Sequence, residues 1–192
     1  MKTATAIAVV AAFALGGLAG ALALLAAKPS DPVGTTTTTA GAPAWSETQW
    51  PFPMDQWGKG KAFRCGANDC GSEVSLYVRA KIGFCNCATG VADDEELDRI
   101  SDFDLFGNKL TALGPGQPIV VAWMKGRSRA FSIAGPSRAQ KSALSVGFND
   151  RCDAIVATAV LRDGRPGAIE PAVLAFLNSR TVLRWAEVTL GL

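Results

Sequence analysis

The sequence predicts an α+β fold: a largely antiparallel sheet with two packed helices, preceded by one N-terminal transmembrane or signal helix. Three observations carry this prediction. Residues 4–27 form an apolar run without a charge, and several later segments alternate apolar with polar residues between short turns. Two further segments, 93–105 and 169–177, repeat their apolar residues at helical spacing.

As a helix the first run would reach roughly 36 Å, enough for a hydrocarbon core of about 30 Å. Lys2, the apolar stretch and the small residues Ala19, Gly20 and Ala21 equally compose a secretory signal with a cleavage site. An uncleaved signal anchor over 1–27 is the preferred reading, because the apolar character continues through Leu22, Leu24 and Leu25 to Lys28. Either fate exports the remainder of the chain. The expectation is a cell-membrane protein, single-pass, with its C-terminal domain outside the cytoplasm (periplasmic), or a secreted protein after signal cleavage. Ala8, Ala12, Gly16 and Gly20 share one helix face, which would let a membrane-protein partner's helix come close.

Residues 28–43 are rich in Thr, Pro and Gly and poor in apolar side chains, so they read as a flexible linker. The extracytoplasmic domain then occupies 44–192. Trp45, Trp50, Phe52 and Trp57 crowd a segment broken by Pro51 and Pro53, which suits an irregular arm anchored on the domain by its aromatics. Residues 59–65 and 73–84 read as a hairpin around the turn-rich CGANDCG, with Val74, Leu76 and Val78 turned inward.

Asp93 and Glu96 form an N-cap and N3 pair for a helix carrying Leu97 and Ile100; four acids here complement the helix dipole without any ligand. Residues 119–124 and 130–133 are expected as strands around a basic tip, Lys125 to Arg129. Residues 143–149 and 152–161 form a further pair turned at Asn149 and Asp150. A helix at 169–177, with Pro171 in its first turn, and a closing strand at 181–190 complete the order β-β-α-β-β-β-β-α-β.

The candidate disulfide residues are Cys65, Cys70, Cys85, Cys87 and Cys152, all within the exported body. Five is odd, so one sulfur stays outside any intrachain pair. Cys85 and Cys87 flank Asn86 at the end of a strand-like run, which would point both sulfurs to one face. Spacing leaves several pairings open, including one that uses Cys152; the preferred pairing joins the Cys65/Cys70 segment to the Cys85/Cys87 segment and leaves Cys152.

The chain has no histidine, which removes imidazole general bases, the Ser-His-Asp and Cys-His arrangements and the commonest zinc sites. Setting aside Lys2, Lys28 and Asp31, the 19 basic and 17 acidic residues become 17 and 16, a balance with no footprint for nucleic acid. No phosphate or dinucleotide loop succeeds a strand, and no cofactor is implied. The expected function is a membrane-anchored, disulfide-stabilised, noncatalytic accessory or binding domain. One alternative is a copper-handling or thiol-redox protein using Cys85 and Cys87 as soft ligands. Another is an acid/base enzyme acting through Asp102 and Asp104, set on one face of an extended segment.

Overall fold

The computed structural model describes residues 43–106, 109–134 and 141–192. The expected anchor and all of the linker before Pro43 lie outside the described residues. Among those described, no helix is long and apolar enough to cross a membrane.

The described chain runs as β1 (Trp45–Thr48), β2 (Lys61–Cys65), the single-turn helix α1 (Ala67–Cys70), β3 (Val74–Lys81), α2 (Asp94–Ile100) and a 3₁₀ turn (Phe103–Phe106). It continues as β4 (Leu110–Ala112), β5 (Gln117–Val121), β6 (Met124–Ile133), β7 (Lys141–Asp150), β8 (Asp153–Leu161), α3 (Pro166–Leu177) and α4 (Arg180–Leu190). The strands form one antiparallel sheet in the order β1-β2-β3-β8-β7-β6, with β4 and β5 both pairing with β6. The predicted α+β class with a large antiparallel sheet therefore stands, with more helices than two.

The central strands β7 and β8 are buried almost throughout, which explains why CDAIVATAVL reads as a near-continuous apolar run. Each side of the sheet carries its own layer. On one side Val74, Leu76 and Val78 of β3 join Ile155, Ala157 and Ala159 of β8 beneath α3 and α4, whose Val173, Leu177, Val182 and Ala186 close the core. On the other side Leu97 and Ile100 of α2 pack on Val156 with Val91 and Cys85. Gly147 makes this second layer possible: a Cβ there would stand 2.9 Å from both Leu97 Cδ1 and Ile100 Cδ1.

Asp93 caps α2 as expected, accepting a hydrogen bond from Glu96 N at 2.8 Å. Several expected elements differ. Residues 181–190 form a helix, not a closing strand, because Val182, Trp185 and Ala186 fall at i, i+3 and i+4 and dock on the core, whereas Val188, which a strand would have turned inward, is 74% exposed. α3 begins a turn earlier than expected, with Pro166 in its first turn, so Pro171 lies inside the helix on its exposed side.

The basic tip is also displaced. β5 turns into β6 at Ala122 and Trp123, with Ala122 at φ 52°, so Lys125, Arg127 and Arg129 lie along a strand. The β7–β8 turn falls at Arg151 and Cys152, two residues later than expected, with Arg151 at φ 51°. The aromatic arm includes a strand that sequence reading missed: β1 pairs with β2, Trp45 opposite Cys65.

Candidate functional site

The second face of the sheet concentrates the chemistry-bearing residues. Alternation along β3 places Arg79 and Lys81 on the side away from α3 and α4. Such positions face solvent unless something covers them, and here the arm over 50–57 and the segment after α2 do. Arg79 is only 1% exposed.

Asp102, just past α2, answers both cations. Arg79 Nε donates to its Oδ2 at 3.0 Å, a second guanidinium nitrogen of Arg79 donates to Oδ1, and Lys81 Nζ lies 2.8 Å from Oδ1. Arg79 Nη1 also donates to Asp55 Oδ2 at 2.6 Å. Asp55 comes from the arm, which further lays Trp50 5.9 Å from the Arg79 guanidinium and Trp57 5.5 Å from Lys81 Nζ. Phe84 completes the cover, with its centroid 5.5 Å from the same Lys81 nitrogen.

Two cations and two carboxylates thus close on each other. Partial burial pushes the Asp55 carboxyl up, but the hydrogen bonds from Arg79 and Trp57 N and the nearby positive charges outweigh it and hold it below its ordinary value. Beside this cluster, α2 sets its acids against β6. Asp94 accepts from Gly116 N at 3.0 Å and from Arg127 Nε, and Asp98 from Arg129 Nη1 at 2.7 Å. The Gly116 amide and the Arg127 guanidinium lower the Asp94 carboxyl.

The cysteines do not pair as expected. Cys65 bridges Cys70 and Cys87 bridges Cys152, while Cys85 is a buried thiol. The short α1 turn carries Cys70 back to the end of β2, with Cα atoms 6.0 Å apart, and the β7–β8 turn brings Cys152 to within 4.2 Å of the Cys87 Cα. Residues 82–93 leave the sheet after β3, so Cys85 and Cys87 do not share a strand face. Cys85 enters the core beside Val91 and Leu97, while Cys87 turns to the bridge. Burial, reinforced by Glu96 and Asp153 against the opposing Arg99, pushes the Cys85 thiol up to about 11. Such a thiol stays protonated at neutral pH.

The two aspartates of the acid/base alternative are separated as well. Asp102 is buried among its cations, whereas Asp104 sits exposed in the 3₁₀ turn, because residues 103–106 wind instead of extending. Asp102 is engaged by three donors and is only 4% exposed, so the cover of its own cations keeps a substrate away from it. Among the described residues no group of three His, Cys, Asp or Glu side chains is disposed to hold a metal ion. Sequence reading missed Arg79, Lys81 and Asp55. The available signal was a β3 segment whose outward positions include two cations, next to an arm too apolar to remain in solvent.

A concavity lies on the opposite side, between α4 and the β1–β2 edge. Its lining includes Lys61, Phe63, Arg180, Arg184, Trp185 and Val188, around a volume of about 520 Å³. The sequence matches no known family model and no curated protein.

Proposed function

We propose that this chain is a membrane-anchored protein whose disulfide-stapled α+β domain works outside the cytoplasm as a noncatalytic accessory or binding module. The observation that carries the reading is the disposition of the five cysteines. Four are spent in two bridges, which persist in oxidising compartments, and the fifth is buried and poorly ionised. The apolar run at 4–27 supplies the route of export and the anchor.

The buried and half-buried carboxylates are tied up within the fold, which supports a noncatalytic reading. Asp102, Asp94 and Asp98 hold α2 and its succeeding segment onto basic strands, and the buried Glu170 of α3 accepts from Gln117 and Ser128. Each is engaged in joining one element to another.

Replacing Cys87 by Ser in cells tests the reading. The yield of folded protein should fall, and any biological output should fall in proportion to it. A normal yield with output abolished would make Cys87 a working thiol and overturn the proposal.

A further inference from the structure

The α4 groove has a built polarity that the core does not require. Thr181, Arg184, Trp185 and Val188 fall at i, i+3, i+4 and i+7, so they form one stripe along α4, next to the stripe through Val182 and Ala186 that enters the core. The stripe is cationic and hydroxylic towards the N-terminus of α4 and apolar towards its C-terminus, over about 10 Å of helix. Phe63 of β2 forms part of the opposite wall, and the Lys61–Glu47 ion pair sits at the strand-side lip.

The arginines at the cationic end stand apart from the ion-pair network of the described residues. Among the described residues neither Arg180 nor Arg184 makes an ion pair or a side-chain hydrogen bond, and Glu187, one turn on from Arg184, pairs with neither. At i and i+4 the two cations repel each other. Arg180 also opens α4, where the helix dipole disfavours positive charge and the first turn holds no acid. An anion at this spot would relieve both conflicts and meet two guanidinium forks and the Thr181 hydroxyl. At the other end Val188 is left 74% exposed beside Trp185.

We propose that this groove binds an anionic amphiphile: one apolar chain lying over Phe63, Trp185 and Val188, with a carboxylate or phosphate head held by Arg180 and Arg184. Its volume falls within the range of small-molecule sites. The assignment deepens the binding-module reading and does not depend on which side of a membrane the domain occupies.

The test uses the full-length oxidised chain in discs of zwitterionic lipid, with a long-chain carboxylate carrying a photoreactive diazirine near its tail. Crosslinks should map to peptides containing Phe63, Trp185 or Val188, and dodecanoate or dodecyl phosphate should compete, their ratio reporting the preferred head. Dodecyltrimethylammonium should not. The double variant R180Q/R184Q should cut labelling of these peptides at least roughly tenfold, since charge-assisted hydrogen bonds are lost. V188E should cut it too by placing a carboxylate beside the chain, and its exposed site leaves the fold alone. Retention of both bridges in each variant verifies folding.

Labelling confined to residues 4–27, equal labelling in the variants, or equal competition by the cation would overturn the assignment. Those results would leave the export and bridge pattern standing, whereas reduced cysteines in the isolated chain would remove the functional reading itself.

Discussion

The two faces of the sheet solve the same packing problem differently, one with apolar side chains and the other with a smaller apolar patch and a buried charge cluster. Beneath α3 and α4 the sheet buries Leu, Val, Ile and Phe, where each contact contributes on its own and a gap costs in proportion to what was removed. On the other face, beside the apolar patch under Leu97 and Ile100, the arm and the segment after α2 bury Arg79, Lys81 and Asp102, where desolvation offsets most of the attraction and only a complete set of partners is tolerable. The apolar face therefore supplies stability, and the charged face supplies position. Asp55 and Asp102 can sit in one place only, and with them the arm and the segment after α2.

The largest expected effect separates these roles. Asp102→Ala leaves two cations buried without their shared partner and should cost about 3–5 kcal/mol in urea unfolding. Leu76→Ala on the apolar face should cost about 2–5 kcal/mol. The single changes look alike, but combined ones do not. Replacing Arg79 and Lys81 by Met together with Asp102→Leu should regain most of the loss, whereas adding Val78→Ala to Leu76→Ala should deepen it. A triple variant as unstable as Asp102→Ala would erase the distinction.

The bridges offer the next test, because both faces meet them unequally. Cys87–Cys152 ties the loop beyond β3 to the β7–β8 turn across 65 residues, and Cys65–Cys70 spans five. From chain entropy alone, removing the pair Cys87/Cys152 should cost about 4 kcal/mol and the pair Cys65/Cys70 about 2 kcal/mol. Equal shifts in the unfolding midpoint would show that the long bridge closes a loop already ordered by the charge cluster.

Acid should loosen the charged face first. Asp55, Asp94 and Glu96 are all held below their ordinary values of 3.8, 3.8 and 4.5: Asp55 by Arg79 against its own burial, Asp94 by the Gly116 amide and Arg127, Glu96 by Arg99. A depressed carboxyl contributes stability above its unfolded pKa and loses it as pH falls through the folded one. Asp98, raised by burial, acts in the opposite sense and offsets part of the loss. The urea midpoint should hold from pH 7 to about pH 5 and fall below about pH 4. Tryptophan emission, dominated on this face by Trp50 and Trp57, should change before the sheet unfolds. A midpoint flat to pH 3 would contradict the account.

Sequence reading succeeded where a segment's own residues determine the outcome. β3 and the β7–β8 pair declare themselves by alternation and by unbroken apolar runs, and α2 by the Asp93 cap. It failed where a distant neighbour decides. Residues 181–190 satisfy a period of two and a period near four, and only docking on the core selected the helix. Arg79 and Lys81 resemble a solvated strand face until the arm arrives to cover them. Cysteine pairing turned on where two hairpins bend: the β7–β8 turn at Arg151 carried Cys152 to Cys87 and left Cys85 inside. The α4 groove was hidden for the same reason, since a misassigned strand cannot show an i, i+3, i+4, i+7 stripe.

The central claim is an anchored, exported domain in which four cysteines are bridged and the fifth is shut away. Intact mass of the full chain extracted from its native membrane, alkylated before and after denaturation without reductant, tests it most directly. The account predicts an uncleaved N-terminus, no alkylation of the native protein and one added group, on Cys85, after unfolding. Recovery from the cytoplasm with all five cysteines alkylated, or rapid modification of Cys85 together with Cys87 in the native state, would contradict it.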